Sequence, residues 1–285
     1  MMNIAVLSDI HGNYVALKAV IDHAHKIGIE KFIFAGDLIT DCPNPNEVLD
    51  TIKNLDGWVI KGNREELILK TIDDKAVDWE SYRQMDSVIW TRNCLREDHV
   101  EYLRSLPEQV TISIDGCKKI RVVHGSTDST RELLTVHKQN RVAEILSQIE
   151  EDVLICGHTH IPWSRRVNGK LIVNTGAVGV SFNSDIVAEY AVLSWNRSNW
   201  IAEHHKVSYK LETLEGDFQS SGLNAFGGIW PQLILESLNS GSNKNIEFID
   251  LVQKLEANEG AESLEFFDNK VWMKARNLWN DKISQ

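Results

Sequence analysis

Five short stretches of the chain carry side chains able to hold a metal ion: Asp9-Ile10-His11, Gly36-Asp37, Gly62-Asn63, His124-Gly125 and Gly157-His158-Thr159-His160. Each follows a mostly apolar run of strand length. In an extended chain, side chains at i and i+2 point the same way, so Asp9 with His11 and His158 with His160 form two pairs. Taken singly, the stretches have plain explanations. DxH makes a turn or helix cap, Gly-Asp and Gly-Asn are turn dipeptides, and a buried His is often simply hydrogen-bonded. Recurrence at successive strand ends, in a chain with only 10 His, argues instead for one shared metal site. The donors are carboxylate, amide and imidazole without thiolate, which suits Mn, Fe or Zn better than a structural zinc knot.

The elements that must position these donors follow from hydrophobic periodicity. Asn3 to Ser8, Lys31 to Ala35 and Trp58 to Lys61 read as strands covered on both faces. Between them, Leu17, Val20, Ile21 and Ala24 recur at helical spacing, and Gly28 is placed to end that helix. A second helix starts at Asn44-Pro45-Asn46-Glu47, with Asn44 as N-cap, Glu47 reaching back, and Val48, Leu49 and Ile52 inward. The alternation predicts a parallel α/β unit, in which ligands bind beyond the carboxyl ends of the strands. Residues 65–108 turn polar and helix-like, a helical insertion expected to cover the metal edge and help select substrate. Strands are expected at Val110–Ile114, Ile120–Val123, Val153–Cys156, Ser164–Val167 and Leu171–Asn174, the last pair around an Asn168-Gly169 turn. Ser129-Thr130-Arg131-Glu132 has capping-box spacing and predicts a helix running to about Ile149. Glu189–Trp195 and Trp200–Val207 complete the strands. The chain divides into residues 1–210 and a C-terminal helical extension, 211–285, packed on them. Its terminal helix should bury Leu264, Phe267, Val271, Ala275 and Leu278.

Composition narrows the partners. The 30 basic and 41 acidic side chains leave a formal charge of −11, so no long nucleic acid or anionic membrane is expected as a partner. An anionic substrate must then be drawn by local positive charge. The opening MMNIAVLSD has neither a basic n-region nor a sustained apolar h-region, so no signal peptide is expected. No apolar run approaches membrane-spanning length. Cys42, Cys94, Cys117 and Cys156 are scattered, as expected of reduced thiols in a cytoplasmic protein.

In order, DxH, GDxxxD, GN, HG and GHTH resemble the calcineurin-like metallophosphoesterase family over roughly residues 2 to 207. SDIHGN, VIKGN and GHTHIP are similar to its bacterial diadenosine-tetraphosphatase-like and YfcE-like branch. The resemblance implies a four-layer α/β/β/α sandwich with two divalent metals at one edge. It assigns Asp9, His11 and His160 to the first metal and Asn63, His124 and His158 to the second, with Asp37 bridging. Mn is favoured, with Fe, Zn, Ni or Mg as alternatives. Two ions of +2 against two carboxylates leave a positive surplus, which attracts phosphate to an acidic protein. The implied activity is a phosphoesterase acting on a small phosphorylated substrate.

One block departs from the family. Its usual GNH[DE] supplies a His that helps protonate the leaving oxygen, whereas here the residues are Gly62-Asn63-Arg64-Glu65. A guanidinium does not release its proton near neutrality, but it can grip phosphate with two N–H groups. Acid help is typically worth about 10²–10⁴-fold and matters most for poor leaving groups. Arg64 therefore favours phosphoanhydrides and activated diesters, dinucleoside polyphosphates among them, over alkyl phosphomonoesters. A phosphomonoesterase and a metal-binding regulator without turnover are the rival readings. Asn13 is a candidate phosphate contact, or else the cap of the first helix. Asp41 is either a neighbour of the metal bridge or a turn former. Trp79, Trp90 and Tyr82 either stack a nucleobase or pack the core, with packing favoured. Trp230, Trp272 and Trp279 read as sealing the C-terminal helices onto the sandwich or as an oligomer contact, in preference to ligand binding.

Overall fold

The computed structural model describes residues 2–182, 185–259 and 266–283. Strands β1 (Met2–Leu7), β2 (Phe32–Ala35) and β3 (Gly57–Ile60) pair in parallel. They are followed by β4 (Gln109–Ile112), β5 (Ile120–Val123), β6 (Val153–Cys156), β7 (Trp163–Val167), β8 (Lys170–Asn174), β9 (Val187–Trp195) and β10 (Trp200–Ser208). One sheet has the order β10-β9-β1-β2-β3 and the other β4-β5-β6-β8-β7. Both are mixed: β9 runs antiparallel to β1, and β4 and β7 run antiparallel to their neighbours.

Alternation along β1 shows how the layers stack. Ile4 and Val6 join Ile33, Ile120, Val122 and Ile155 in the core between the two sheets. Ala5 and Leu7 face the other way, into a core shared with α1 (Tyr14–Lys26) and α2 (Pro45–Lys53). The insertion packs into that same outer core through α3 (Asn63–Asp73), α4 (Asp86–Cys94) and α5 (Glu97–Ser105). The second sheet is covered outside by α6 (Gln139–Gln148), through Val142, Ile145 and Leu146. The result is the expected four-layer α/β/β/α sandwich.

Helices α7 (Leu211–Ser220), α8 (Leu223–Phe226) and α9 (Trp230–Ser240) pack with Trp90 and Cys42 beside the first sheet. Helices α10 (Lys244–Glu259) and α11 (Asn269–Ile283) close over α9. No helix of the described residues is long and apolar enough to cross a membrane.

Three local expectations need correction. The helix predicted from Ser129 begins ten residues later, at Gln139. Residues 126–129 close a turn in which the Ser126 N–H donates to Ser129 O (2.8 Å), and Glu132 binds Arg141 instead of capping (2.8 Å). Asn44 is the N-cap of α2, but its side chain makes no cap hydrogen bond. The buried stripe of α11 is Val271, Trp272, Ala275 and Trp279, while Leu278 is exposed. Phe267 precedes that helix, and Leu264 lies outside the described residues.

Candidate metal centre

All five stretches converge at one edge of the sandwich, where each strand end passes into a tight loop. The loops are tied to one another by backbone hydrogen bonds. Asp9 N–H donates to Gly36 O (3.1 Å), His11 N–H to Asp37 O (3.0 Å), Gly157 N–H to His124 O (2.8 Å) and Gly179 N–H to Asp9 O (2.9 Å). Asp9, His11, Asp37, His158 and His160 adopt left-handed backbone, with φ between 52° and 65°. That conformation is costly for residues with a Cβ and is tolerated best by short polar side chains. Close approach explains the glycines beside them. A Cβ on Gly36 would lie 2.7 Å from Gly62 N and 2.9 Å from His124 Nδ1.

The donors form two clusters, Asp9–His11–His160 and Asp37–His124–His158, each with its ligand atoms within 4.8 Å of one another. Asn63 joins the second, its Oδ1 3.1 Å from His124 Nε2. Asp37 Oδ2 lies 3.2 Å from His124 Nε2 and 3.8 Å from His11 Nε2, facing both clusters.

These side chains are prepared for cations. The Nδ1–H of His124 donates to Ala35 O (2.8 Å) and that of His160 to Val180 O (2.6 Å), while His11 Nδ1 lies 2.9 Å from Asp41 Oδ2. The carbonyl contacts of His124 and His160 fix the tautomer that turns their Nε2 lone pairs inward. The Nε2 atoms of His11 and His160 face each other at 3.2 Å, close enough to bind one cation between them. Asp9 Oδ1 is buried and accepts no hydrogen bond. An orphaned buried carboxylate oxygen beside two inward imidazoles fits a divalent ion well.

Titration of the metal-free site follows the same charges. Burial alone would depress His11, but Asp41, Asp9 and Asp37 overcome it and push the imidazole up to about 10. His124 rises to about 9 because Asp37 and Asp9 outweigh its burial. His158 falls to about 4, since burial and neighbouring His124 both disfavour its charged form. Burial would raise Asp37, yet His124 and His11 hold it below the usual carboxylate range.

Around the donors lies a set of supporting residues. Asp41, buried and left-handed at φ 70°, accepts from Trp230 Nε1–H of α9 (2.9 Å) and pairs with Arg64 Nη2 (3.2 Å) as well as contacting His11. Burial would raise its carboxyl, but Arg64 and His11 keep it lowered. Asp41 is thus a hub and not merely a turn former. Arg64 is partly exposed, and its backbone N–H donates to Asp37 Oδ1 (2.8 Å).

Both ends of the Asn13 side chain are engaged by backbone. Its Oδ1 accepts from Ala16 N (3.0 Å) and its Nδ2 donates to Gly179 O (2.9 Å), so it caps α1 and ties down a loop. The helix-cap reading accounts for both ends of the amide.

Glu65 escaped attention in the sequence. Fully buried, it accepts backbone N–H bonds from Asp37 (2.9 Å), Leu38 (2.8 Å), Ile39 (3.2 Å) and Gly62 (2.7 Å), joining the Asp37 loop to the Asn63 loop. Burial and the nearby Asp37 charge push its carboxyl up to about 7. The capping-box spacing Gly62-x-x-Glu65 was the signal that could have found it.

Two stacked mixed sheets with paired Asp/His clusters at one edge are the architecture of a metallophosphoesterase. Sequence comparison reaches the same class: residues 2–198 match the calcineurin-like phosphoesterase superfamily domain, and the chain belongs to that superfamily of metal-dependent hydrolases. An uncharacterized protein of Methanocaldococcus jannaschii is 28% identical over 175 residues, which span 61% of this chain and 69% of that protein. Among solved structures, a metallophosphoesterase from Sphaerobacter thermophilus aligns with a TM-score of 0.69 at 24% identity, covering 84% of this chain and 99% of that one. A hypothetical protein from Pyrococcus horikoshii aligns with a TM-score of 0.70 at 23% identity, covering 85% and 100%. These two likenesses concern the fold.

Proposed function

We propose that the protein hydrolyses phosphodiester or phosphoanhydride bonds of small nucleotides, dinucleoside polyphosphates among them, with two divalent ions. In this reading Asp9, His11 and His160 hold one ion, Asn63, His124 and His158 the other, and Asp37 both. Mn is the favoured metal, with Fe, Zn, Ni and Mg as alternatives. When bound, such ions polarise a phosphoryl group and make water a stronger nucleophile.

The observation that carries the substrate preference is the Arg64–Asp41 pair (3.2 Å). The position where the family places a proton-donating His holds a guanidinium fixed by a buried carboxylate. It has N–H groups left to bind phosphate and no proton to give. His158 is assigned to a metal ion in this reading, so it does not serve as the acid. Without an acid, reaction is fastest when the departing oxygen is already a good anion, as in an anhydride or activated diester. The SDIHGN and GHTHIP blocks support kinship with the diadenosine-tetraphosphatase-like and YfcE-like branch. Residues 1–210 act as the phosphoesterase domain, 65–108 as its insertion and 211–285 as an extension. The four cysteines, all free thiols, suit a reduced cytoplasmic setting.

A panel of phosphomonoesters, dinucleoside polyphosphates and dinucleotides, assayed with several divalent metals, tests the reading. Faster turnover of anhydrides or diesters than of alkyl monoesters is expected. A preference for alkyl monoesters would overturn the preference, and no turnover on any class would favour the regulatory reading.

A further inference from the structure

A cavity of about 370 Å³ opens beside the metal centre, between the helical insertion, the loop after β5 and the C-terminal helices. Its position relative to the site is fixed by one carboxylate. Arg64 and Trp230 both line the cavity and both contact Asp41, which in turn contacts the candidate ligand His11. Whatever fills this space therefore lies next to the reacting centre.

The lining is selective. No Asp or Glu is among its described lining residues, although the chain carries a charge of −11. Two guanidiniums, Arg64 and Arg131, stand on its wall, and the exposed Arg131 side chain has no acidic partner among the described residues. Trp230, Phe267 and Trp272 add aromatic surface to the lining. Ser87, also on the lining, is 98% buried, and its hydroxyl has no hydrogen-bond partner. A hydroxyl left unmatched in such surroundings is destabilising unless something binds it. Beside it, Gln84 accepts from Phe267 N–H (3.2 Å) through Oε1, which leaves its amide N–H groups for a ligand.

We infer that this cavity is the binding site for the nucleoside end of the substrate. A planar heterocycle stacks on the aromatic wall and hydrogen-bonds to Ser87 and Gln84, while Arg64 and Arg131 hold the phosphate that does not react. The assignment rests on the proposed reaction and names the part of the substrate that the metals do not touch. It also explains why an extension from the far end of the sequence reaches the metal edge. An aromatic floor under a base is worth about ten-fold or more in affinity, and the cavity volume falls in the range that small organic ligands occupy.

The test compares AMP with ribose 5-phosphate, titrated calorimetrically into the full-length Mn-loaded protein. The two ligands share the sugar phosphate and differ only in the base. AMP is expected to bind at least about ten-fold more tightly. Ser87→Leu fills the cavity and should bring the ratio close to one. Phe267→Ala, at a partly exposed position, should lower it several-fold and serves if Ser87→Leu fails to fold. Equal affinities in the unaltered protein would overturn the inference, as would an AMP preference that survives in the folded variants. Turnover of bis(4-nitrophenyl) phosphate, measured alongside, keeps the two assignments apart. If turnover is present and the base is not discriminated, the pocket assignment falls alone. If the base is discriminated and neither the diester nor a dinucleoside polyphosphate is hydrolysed, the reaction falls and the pocket stands.

Discussion

Among the described residues other than glycine, left-handed backbone occurs in two kinds of place. At the hairpin tips, Asn168 (φ 50°) and Arg197 (φ 77°) adopt it in exposed turns, where nothing lies near a Cβ added to Gly169. At the metal edge, Asp9, His11, Asp37, Thr40, Asp41, His158 and His160 adopt it while buried or partly buried. The hairpins need the conformation only to turn the chain, and water satisfies the surrounding polar groups. At the edge, the same conformation brings carboxylates and imidazoles together with unsatisfied lone pairs. Strain at the tips is local geometry, whereas strain at the edge is held by the rest of the fold.

The strongest challenge to that contrast is removal of the shared ligand. Asp37→Asn is expected to abolish turnover and cut bound metal, since the charge facing both clusters is lost. Elemental analysis and an activity assay check it, and near-native turnover with full metal would sink the assignment. Metal removal should come next in size. His11 and His124 have pKa values raised above the ordinary 6.5, to about 10 and about 9. The stability they contribute to the stripped protein is full below about pH 6.5 and is lost as pH rises through 9 to 10. Thermal unfolding of chelated protein should show that fall, and added Mn²⁺ should flatten it by replacing the protons. A pH-independent Tm in chelated protein would contradict the charge assignments.

Glu65→Ala tests whether the edge is held by its supports. It leaves four buried N–H groups without an acceptor, at a cost of about 3 kcal/mol or more. Denaturant unfolding of this variant beside Asn168→Ala, at a hairpin tip, should show a loss at Asn168 of only about 1 kcal/mol. Similar losses at the two positions would erase the distinction. Smaller again is Arg64→Ala. Losing a charge-assisted phosphate contact is worth about 1.5–3 kcal/mol, or roughly 10- to 150-fold in kcat/KM for dinucleoside polyphosphates. Hydrolysis of a nitrophenyl diester should barely change. Equal loss on both substrates would make Arg64 a support for Asp41 and leave the anhydride preference without its basis.

The residues of the two donor clusters were legible because local rules place them. Apolar runs of four to six residues ending in Gly-Asp, Gly-Asn or DxH state both a strand and its exit, and the topology does the rest. What could not be read from the sequence was long-range or competitive. The Trp230–Asp41 hydrogen bond joins residues 189 positions apart, and no periodicity announces it. The capping-box spacing at Ser129 was real, but Arg141 captured Glu132 and the helix began later. At Glu65 the same spacing marked a buried carboxylate that serves two loops at once. In α11, aromatic packing of Trp272 and Trp279 against Phe248 shifted the buried face away from Leu278.

The claim beneath all of this is that two donor clusters hold two cations. Metal content of the full-length protein, saturated with Mn²⁺ and freed of excess, addresses it directly when measured beside His160→Ala. His160 belongs to the Asp9–His11 cluster alone, so about two ions per chain are expected in the unaltered protein and about one in the variant. A single ion in the unaltered protein, or an undiminished content in His160→Ala, would contradict the account.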